Sequence, residues 1–136
     1  MKKLKDTKPT FIDLFSGCGG LSLGFEMAGL KSVLACDFWK SACLTFKNNF
    51  PDCPLFEGDV KDLTKKKLTE LIGKEDIDVV VGDPPCQGFS TAGKQWIDDP
   101  RNRVFVEFTR IISLVEPKYV VMENVPPILT LASGRF

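Results

Sequence analysis

The sequence contains no histidine among its 136 residues. Histidine is the commonest general base in enzymes and the commonest metal ligand, so any chemistry here must use other side chains. The five cysteines are an odd number and include no Cys-x-x-Cys pair, which argues against a disulfide framework and against a structural zinc site. We therefore expect no metal site, and a protein of a reducing, cytoplasmic compartment.

A charge excess and long apolar runs are also absent. Lys plus Arg and Asp plus Glu number 18 each, so the composition lacks the basic excess typical of nucleic-acid-binding proteins. Lysines cluster within residues 2–8 and 65–67, and we interpret both clusters as solvated surface. No apolar run approaches the roughly 20 residues that span a bilayer, and no apolar signal-peptide core follows the basic N-terminus. These features predict a globular domain without membrane segments.

Short apolar runs alternate with helical patterns along the chain. The predicted strands are residues 10–15, 32–37, 54–56, 78–82 and 119–123. The predicted helices are residues 21–28, 40–49, 63–72 and 103–116. Alternation of this kind, with strands apolar on both faces, predicts an α/β fold with a doubly wound, Rossmann-like parallel sheet.

We expect one folded domain over residues 10–125. Residues 1–9 are predicted to be a flexible basic tail. Residues 126–136 are predicted to begin a continuation that is cut short, because "PPILTLASGRF" is too short for another strand and helix. A sheet that stops after its fifth strand has an open edge that needs cover. We therefore expect a truncated sheet that can self-associate through its uncovered core.

The segment "FIDLFSGCGG" places Gly17, Gly19 and Gly20 between the first strand and the first helix. Glycines allow positive φ angles and let a ligand approach the backbone closely. The dinucleotide fingerprint is not met, because Ser22 stands where its third glycine would fall. The turn is consistent with a nucleotide-like ligand or with an ordinary tight turn.

The next two strand ends carry groups that suit an adenosine. Asp37 lies close to the distance at which a carboxylate binds ribose hydroxyls, and Phe38 can stack on adenine. Alternatively, Asp37 caps the helix beginning near Lys40 and Phe38 is a core residue. Asp59 can bind an exocyclic amine or cap a helix. Because no arginine or helix N-terminus is dedicated to phosphate, this set favours S-adenosylmethionine over NAD.

The fourth and fifth strands bring reactive side chains to the same edge of the sheet, where ligands bind in open α/β folds. In "GDPPCQGFS", Pro84 and Pro85 restrict the turn that carries Cys86. In "VVMENVPP", Glu123 and Asn124 end the fifth strand. A glutamate at a buried edge beside a thiol can hold or pass a proton if its pKa is raised.

Taken together, "FIDLFSGCGG", "GDPPCQGFS" and "MENV" resemble the first, fourth and sixth motifs of the cytosine-5 DNA methyltransferases. The segment "DPRNRVF" resembles the fifth, and the resemblance runs from Thr10 to Val125. It implies S-adenosylmethionine as cofactor and double-stranded DNA as partner, with the target cytosine flipped out of the stack. It also implies a prokaryotic, nucleoid-associated enzyme of DNA methylation and restriction–modification.

The resemblance assigns roles to individual residues. Carbon 5 of cytosine is a poor nucleophile, and by resemblance Cys86 is the thiolate that first adds to carbon 6. Glu123 would bind N3 and the amino group of the ring, and Asn124 would orient the loop that carries Cys86. The residues that map onto the family's cofactor pocket are Phe15, Gly17, Cys18, Gly19, Gly20, Asp37, Phe38, Asp59, Val60, Pro85 and Val104.

Several positions depart from the family pattern. Asp37 stands where glutamate is common, and Asn102 where glycine is common. Asp83 replaces a small or apolar residue, so "DPPC" is similar to the Asp-Pro-Pro-Tyr of amino-methyltransferases, which need no nucleophile. Cys86 followed by glutamine, together with Glu123, favours the carbon-5 reaction.

Nothing in the chain resembles the family's later motifs or its target recognition region. Three interpretations therefore stay open. The chain is the catalytic half of a larger or split DNA methyltransferase and inactive alone, an S-adenosylmethionine-binding fragment without catalysis, or a relative that methylates cytosine in tRNA. The first implies a complementary C-terminal part as a partner.

Overall fold

The computed structural model describes residues 8–85 and 103–126, which form five strands and four helices. The strands are β1 (Thr10–Leu14), β2 (Lys31–Asp37), β3 (Leu55–Glu57), β4 (Val79–Gly82) and β5 (Tyr119–Met122). The helices are α1 (Gly20–Met27), α2 (Lys40–Asn49), α3 (Lys65–Ile72) and α4 (Arg103–Val115), with one 3₁₀ turn at Val60–Asp62. The predicted terminal segments lie almost entirely outside the described residues.

The five strands form one sheet in the order β3-β2-β1-β4-β5, and every neighbouring pair is parallel. The chain moves outward from β1 to β3 and then crosses back to place β4 on the other side of β1. This reversal beside β1 is the point at which open α/β sheets bind ligands. The predicted doubly wound parallel sheet is confirmed.

Alternation along the strands divides the core between the two faces of the sheet. On one face, Phe11, Val79 and Val81 pack against Leu21 and Phe25 of α1. The other face holds the larger cluster, to which α3 and α4 contribute buried side chains. Members of that cluster include Ile12, Leu14, Leu34, Val80, Leu68, Phe108 and Ile111. Helices on both faces explain why the central strands carry apolar side chains on both of their faces.

Two element ends differ from prediction for a local reason, a φ angle in one case and a hydrogen bond in the other. β1 ends at Leu14, one residue early, because Phe15 takes a φ of 60° in the left-handed region. α3 begins at Lys65 because the Thr64 side chain accepts a hydrogen bond from the Lys67 N–H at 3.2 Å and caps the helix. α2 has the predicted bounds. None of the helices described is long and apolar enough to cross a membrane.

The outer strand β5 is less covered than the strands it follows. Its Tyr119, Val120 and Val121 side chains are 69%, 45% and 43% exposed, whereas Val80 and Val81 of neighbouring β4 are fully buried. The prediction that all strands are apolar and buried on both faces is therefore wrong for β5. This strand is the edge of the described sheet, so it lacks a neighbour on one side.

Asp13 is a carboxylate in the centre of the sheet, with no solvent exposure. Its Oδ2 accepts a hydrogen bond from the Ser22 hydroxyl of α1 at 2.6 Å, while Oδ1 has no partner among the described residues. Burial raises the pKa of Asp13 to about 6, against the lowering effect of the bonds to Ser22. The carboxylates of Asp37 and Asp83 raise this pKa further. Asp13 thus joins β1 to α1 at an electrostatic cost.

Replacing Asp13 with asparagine should change how stability depends on pH. A carboxyl whose pKa is higher in the folded state binds protons more tightly there, so its ionisation destabilises the fold as pH rises. Between about pH 5 and about pH 7.5, wild type should lose about 1 kcal/mol of unfolding free energy that Asp13→Asn does not lose. Urea unfolding of both proteins at both pH values measures this. A wild-type-minus-variant difference that is the same at both pH values would contradict it.

Candidate active site

Most of the predicted site residues that the structure describes lie at the ends of strands or on the segments that follow them, at the carboxyl edge of the sheet. Leu14 of β1 pairs with Gly82 of β4, and Gly82 pairs with Met122 of β5, so these three strands end at one level. The predicted nucleophile, Cys86, falls outside the described residues. Each of the other predicted residues is described and can be placed.

The turn after β1 has a backbone that needs glycine. Gly17 and Gly19 take φ angles of 53° and 96°, and Gly20 begins α1 directly. A Cβ at Gly19 would lie 2.2 Å from Phe50 Cε2, so a larger residue would both strain the backbone and displace that ring. Cys18, between these glycines, is exposed. The turn therefore presents backbone and little side chain at the sheet edge.

Asp37 holds this turn in place. Its Oδ2 accepts a hydrogen bond from the Gly17 N–H at 2.8 Å, and its Oδ1 accepts one from the Trp39 N–H at 2.8 Å. The alternative that Asp37 caps α2 is wrong, because Trp39 occupies the N-cap and no side chain caps the helix. The alternative that Phe38 is a core residue is also wrong, because its side chain is 66% exposed. An anchored carboxylate and an exposed ring thus stand side by side.

The turn after β3 contains Asp59 and Val60. Asp59 accepts a hydrogen bond from the Lys61 N–H at 3.0 Å, so the helix-cap interpretation is confirmed for the 3₁₀ turn. Its carboxylate also forms an ion pair with the Lys61 ammonium at 3.2 Å and remains 46% exposed. Val60 is 4% exposed and its side chain belongs to the core. Val60 can therefore contact a ligand only through its backbone.

Sequence reasoning missed Arg110, which supports this turn from α4. Its two terminal nitrogens donate to the Val60 carbonyl at 2.9 Å and to the Leu63 carbonyl at 3.1 Å. Glu107, one turn earlier on α4, accepts from Arg110 Nε at 2.6 Å. An arginine in the middle of a largely apolar helix was the available signal, but the carbonyls that Arg110 contacts are distant in sequence. Arg110 fixes the backbone that follows Asp59.

Aromatic packing links α4 to the first turn. Phe15, half-buried, lies with its ring centroid 6.5 Å from that of Phe108. A Cβ at Gly82 would lie 2.7 Å from the Phe108 ring, so the end of β4 rests on the same side chain. Val104, in the first turn of α4, is half-buried. Phe108 therefore packs against both the turn after β1 and the end of β4, and it helps to fix their positions relative to each other.

Main-chain and amide hydrogen bonds join the last two strand ends. The Glu123 N–H donates to the Gly82 carbonyl at 3.0 Å. Asn124 Nδ2 donates to the Pro84 carbonyl at 3.1 Å, while Asn124 Oδ1 accepts from the Val125 N–H at 2.9 Å. Pro85, next in the turn, is exposed. Asn124 thus holds the turn that precedes residue 86.

Glu123 is exposed, so the expectation of a glutamate at a buried edge is wrong. Its pKa is nevertheless raised, first by a hydrogen bond with the Asp83 side chain and then by the negative charge of Asp83. Asp83, which departs from the family pattern, therefore lies beside Glu123, the predicted catalytic glutamate.

Among residues 8–85 and 103–126 no group of three His, Cys, Asp or Glu side chains is arranged to hold a metal ion.

Comparison with known proteins gives a consistent family. The sequence profile of the family described as C-5 cytosine-specific DNA methylase matches residues 9–136. The chain is 46% identical over 129 residues to the Type II methyltransferase M1.HphI of Haemophilus parahaemolyticus, covering 93% of this chain and 35% of the relative. It is 48% identical over 121 residues to the Type II methyltransferase M.XorII of Xanthomonas oryzae, covering 88% and 28%.

Solved structures agree with this. A prophage-encoded DNA modification methyltransferase of E. coli superposes with a TM-score of 0.79 at 37% identity, over 91% of this chain and 34% of that one. A Spodoptera frugiperda DNMT2 mutant gives 0.65 at 31% identity, over 88% and 36%. The chain thus spans about a third of the length of these proteins. It belongs to the C-5 cytosine-specific DNA methylase family.

Proposed function

We propose that this chain supplies the catalytic and cofactor-binding residues for transfer of a methyl group from S-adenosylmethionine to carbon 5 of cytosine in DNA. The observation that carries the proposal is the meeting of two groups of residues at one sheet edge. The glycine turn and Asp37 form one group, and the paired ends of β4 and β5 form the other. The Type II methyltransferase relatives favour DNA as the substrate.

The residues after β1 and β2 suit the adenosine part of the cofactor. Both Asp37 oxygens already accept backbone N–H groups, yet a carboxylate oxygen has a further lone pair for a ribose hydroxyl. Phe38 is exposed beside it and can stack on the adenine ring. Asp59 retains exposed oxygen for an exocyclic amine. Bound there, S-adenosylmethionine would supply an electrophilic methyl group on a sulfonium centre.

The residues after β4 and β5 would act on the base. We propose that the Cys86 thiolate adds to carbon 6 of a flipped cytosine, which makes carbon 5 nucleophilic. Glu123 would donate a hydrogen bond to N3, where negative charge accumulates as the thiolate adds. The bond from Asn124 to the Pro84 carbonyl supports a positioning role, since Pro84 lies two residues before Cys86. The buried Cys36 is a poor rival, because burial raises the pKa of its thiol to about 12.

We propose further that the chain works as part of a larger or split enzyme. The enzymes to which it is similar are about three times as long. The 136 residues alone should therefore transfer little or no methyl from labelled S-adenosylmethionine to duplex DNA. Rapid turnover by the isolated chain would contradict this part of the proposal.

The nucleophile is tested by covalent trapping. The chain is mixed with the C-terminal remainder of a relative, S-adenosylmethionine and duplex DNA carrying 5-fluorocytosine, whose fluorine blocks release of the enzyme. Wild type should form an adduct that survives denaturing electrophoresis. Cys86→Ser should form none, because a hydroxyl of ordinary pKa is a far weaker nucleophile than a thiolate.

Cys53→Ser is the matched control for trapping. Cys53 lies half-buried before β3, in contact with the Ser32 hydroxyl at 2.9 Å, away from the proposed site. This variant should trap as well as wild type. Adducts that persist in Cys86→Ser would overturn the nucleophile assignment. A parallel arm with 5-fluorocytosine in a tRNA distinguishes the two substrates, and preferential trapping of the tRNA would overturn the choice of DNA.

Cofactor binding is tested by calorimetric titration with S-adenosylmethionine. Asp37→Asn should bind about tenfold more weakly than wild type, because one charge-assisted hydrogen bond contributes about 1.5 kcal/mol. Asp52→Asn, an exposed carboxylate on the loop before β3, should bind as wild type does. Circular dichroism of each variant establishes that the fold is kept. Equal affinity of Asp37→Asn and wild type would remove Asp37 from the cofactor site.

A further inference from the structure

Asp83 and Glu123 are adjacent because the sheet register makes them so. Gly82 and Met122 are paired residues at the ends of parallel strands β4 and β5. Asp83 directly follows the first strand and Glu123 directly follows the second. The Glu123 N–H is bonded to the Gly82 carbonyl at 3.0 Å, and the Asp83 N–H points to the Leu14 carbonyl at 3.4 Å. The backbone of both residues is thus held by neighbouring strands, which brings their side chains close enough for a hydrogen bond that raises the pKa of Glu123.

A hydrogen bond between two carboxyl groups requires a proton on one of them, because an ionised carboxylate is only an acceptor. Like charges at short range also oppose the second ionisation. Asp83 raises the pKa of Glu123. The charged side chain acting on Glu123 from β4 is Asp83, and no other charged group in the described ranges contributes to this shift. Since Glu123 is exposed, proximity to Asp83 outweighs burial as the cause.

We propose that Asp83 is a positioning residue of the reaction, which shares a proton with Glu123 and so keeps Glu123 in the form that donates to N3 of the target cytosine. This inference rests on the proposed function and deepens it. When the Cys86 sulfur bonds to carbon 6, the electron pair of the C5=C6 bond moves through the ring to N3. N3 then takes the proton of Glu123, which becomes a carboxylate. An exposed glutamate without such a neighbour is ionised at neutral pH and has no proton to give.

The pairing is measured directly in the 136-residue chain. Carbon-13 NMR of protein labelled at the glutamate carboxyl carbons gives one titration curve per glutamate, and Glu123→Gln identifies the curve of residue 123. In wild type, Glu123 should titrate at higher pH than the other exposed glutamates. In Asp83→Asn and Asp83→Gly its curve should move to lower pH, while Asp83→Glu should restore much of the shift. Asp52→Asn, remote from Glu123, should leave the curve unchanged.

The consequence for the reaction is measured by the rate of trapping as a function of pH, with the complementary part supplied as above. Loss of Glu123's proton sets a fall in rate at high pH, so that fall should occur at lower pH in Asp83→Asn than in wild type. A merely structural role for Asp83 would lower the rate at every pH and leave the shape of the profile unchanged.

The outcomes separate the inference from the function on which it rests. Suppose that wild type traps DNA but the pH profile of trapping has the same shape in Asp83→Asn, or that the Glu123 titration curve is the same in wild type and the Asp83 variants. Either result overturns the inference and leaves the proposed function standing. If wild type forms no adduct at any pH, the proposed function fails, and the role of Asp83 in the reaction fails with it. A shifted titration together with a shifted profile supports both.

Discussion

The parallel direction of the five strands is the constraint on which the site depends. Strands that run the same way end at the same edge, so groups far apart in sequence meet there. The register then determines how far each strand extends at this edge, with Leu14 of β1 paired to Gly82 of β4, and Gly82 paired to Met122 of β5. A slip of one residue between β4 and β5 would direct Glu123 to the opposite face of the sheet and part it from Asp83. The chemistry of the edge is thus specified first by backbone pairing.

Much of this architecture could be predicted from sequence because it depends on local patterns. Apolar runs of strand length alternate with helical periodicity, and Pro51 marks the end of α2 correctly to within a residue. Two of the boundary errors lie where a single hydrogen bond or φ angle decides an end. Phe15 in the left-handed region stops β1, and the Thr64 cap delays α3. Neither feature leaves a periodic signal in the sequence.

The candidate site divides in the same way. Its positions follow from topology, since Asp37, Asp59 and Glu123 were expected at strand ends and lie there. Its contacts do not follow, because they join segments distant along the chain. Asp37 accepts from Gly17, and Arg110 reaches the backbone after Asp59. The exposure of Glu123 and its bond with an unusual aspartate depend on side-chain directions that no pattern encodes.

The charge of this edge fits the proposed ligands better than it fits DNA. Asp37, Asp59, Asp83 and Glu123 all lie there, and this edge stays negatively charged even with one proton shared by Asp83 and Glu123, as proposed. A sulfonium and a protonated cytosine ring are cations and would be attracted, whereas the phosphates of a duplex would be repelled. If DNA is the substrate, as proposed, attraction for its backbone comes from surfaces other than this edge. The negative charge at this edge also acts on the interior of the sheet, because the carboxylates of Asp37 and Asp83 raise the pKa of buried Asp13. A cation bound at the edge would offset that repulsion, so ligand binding and the ionisation of Asp13 are coupled through the same carboxylates.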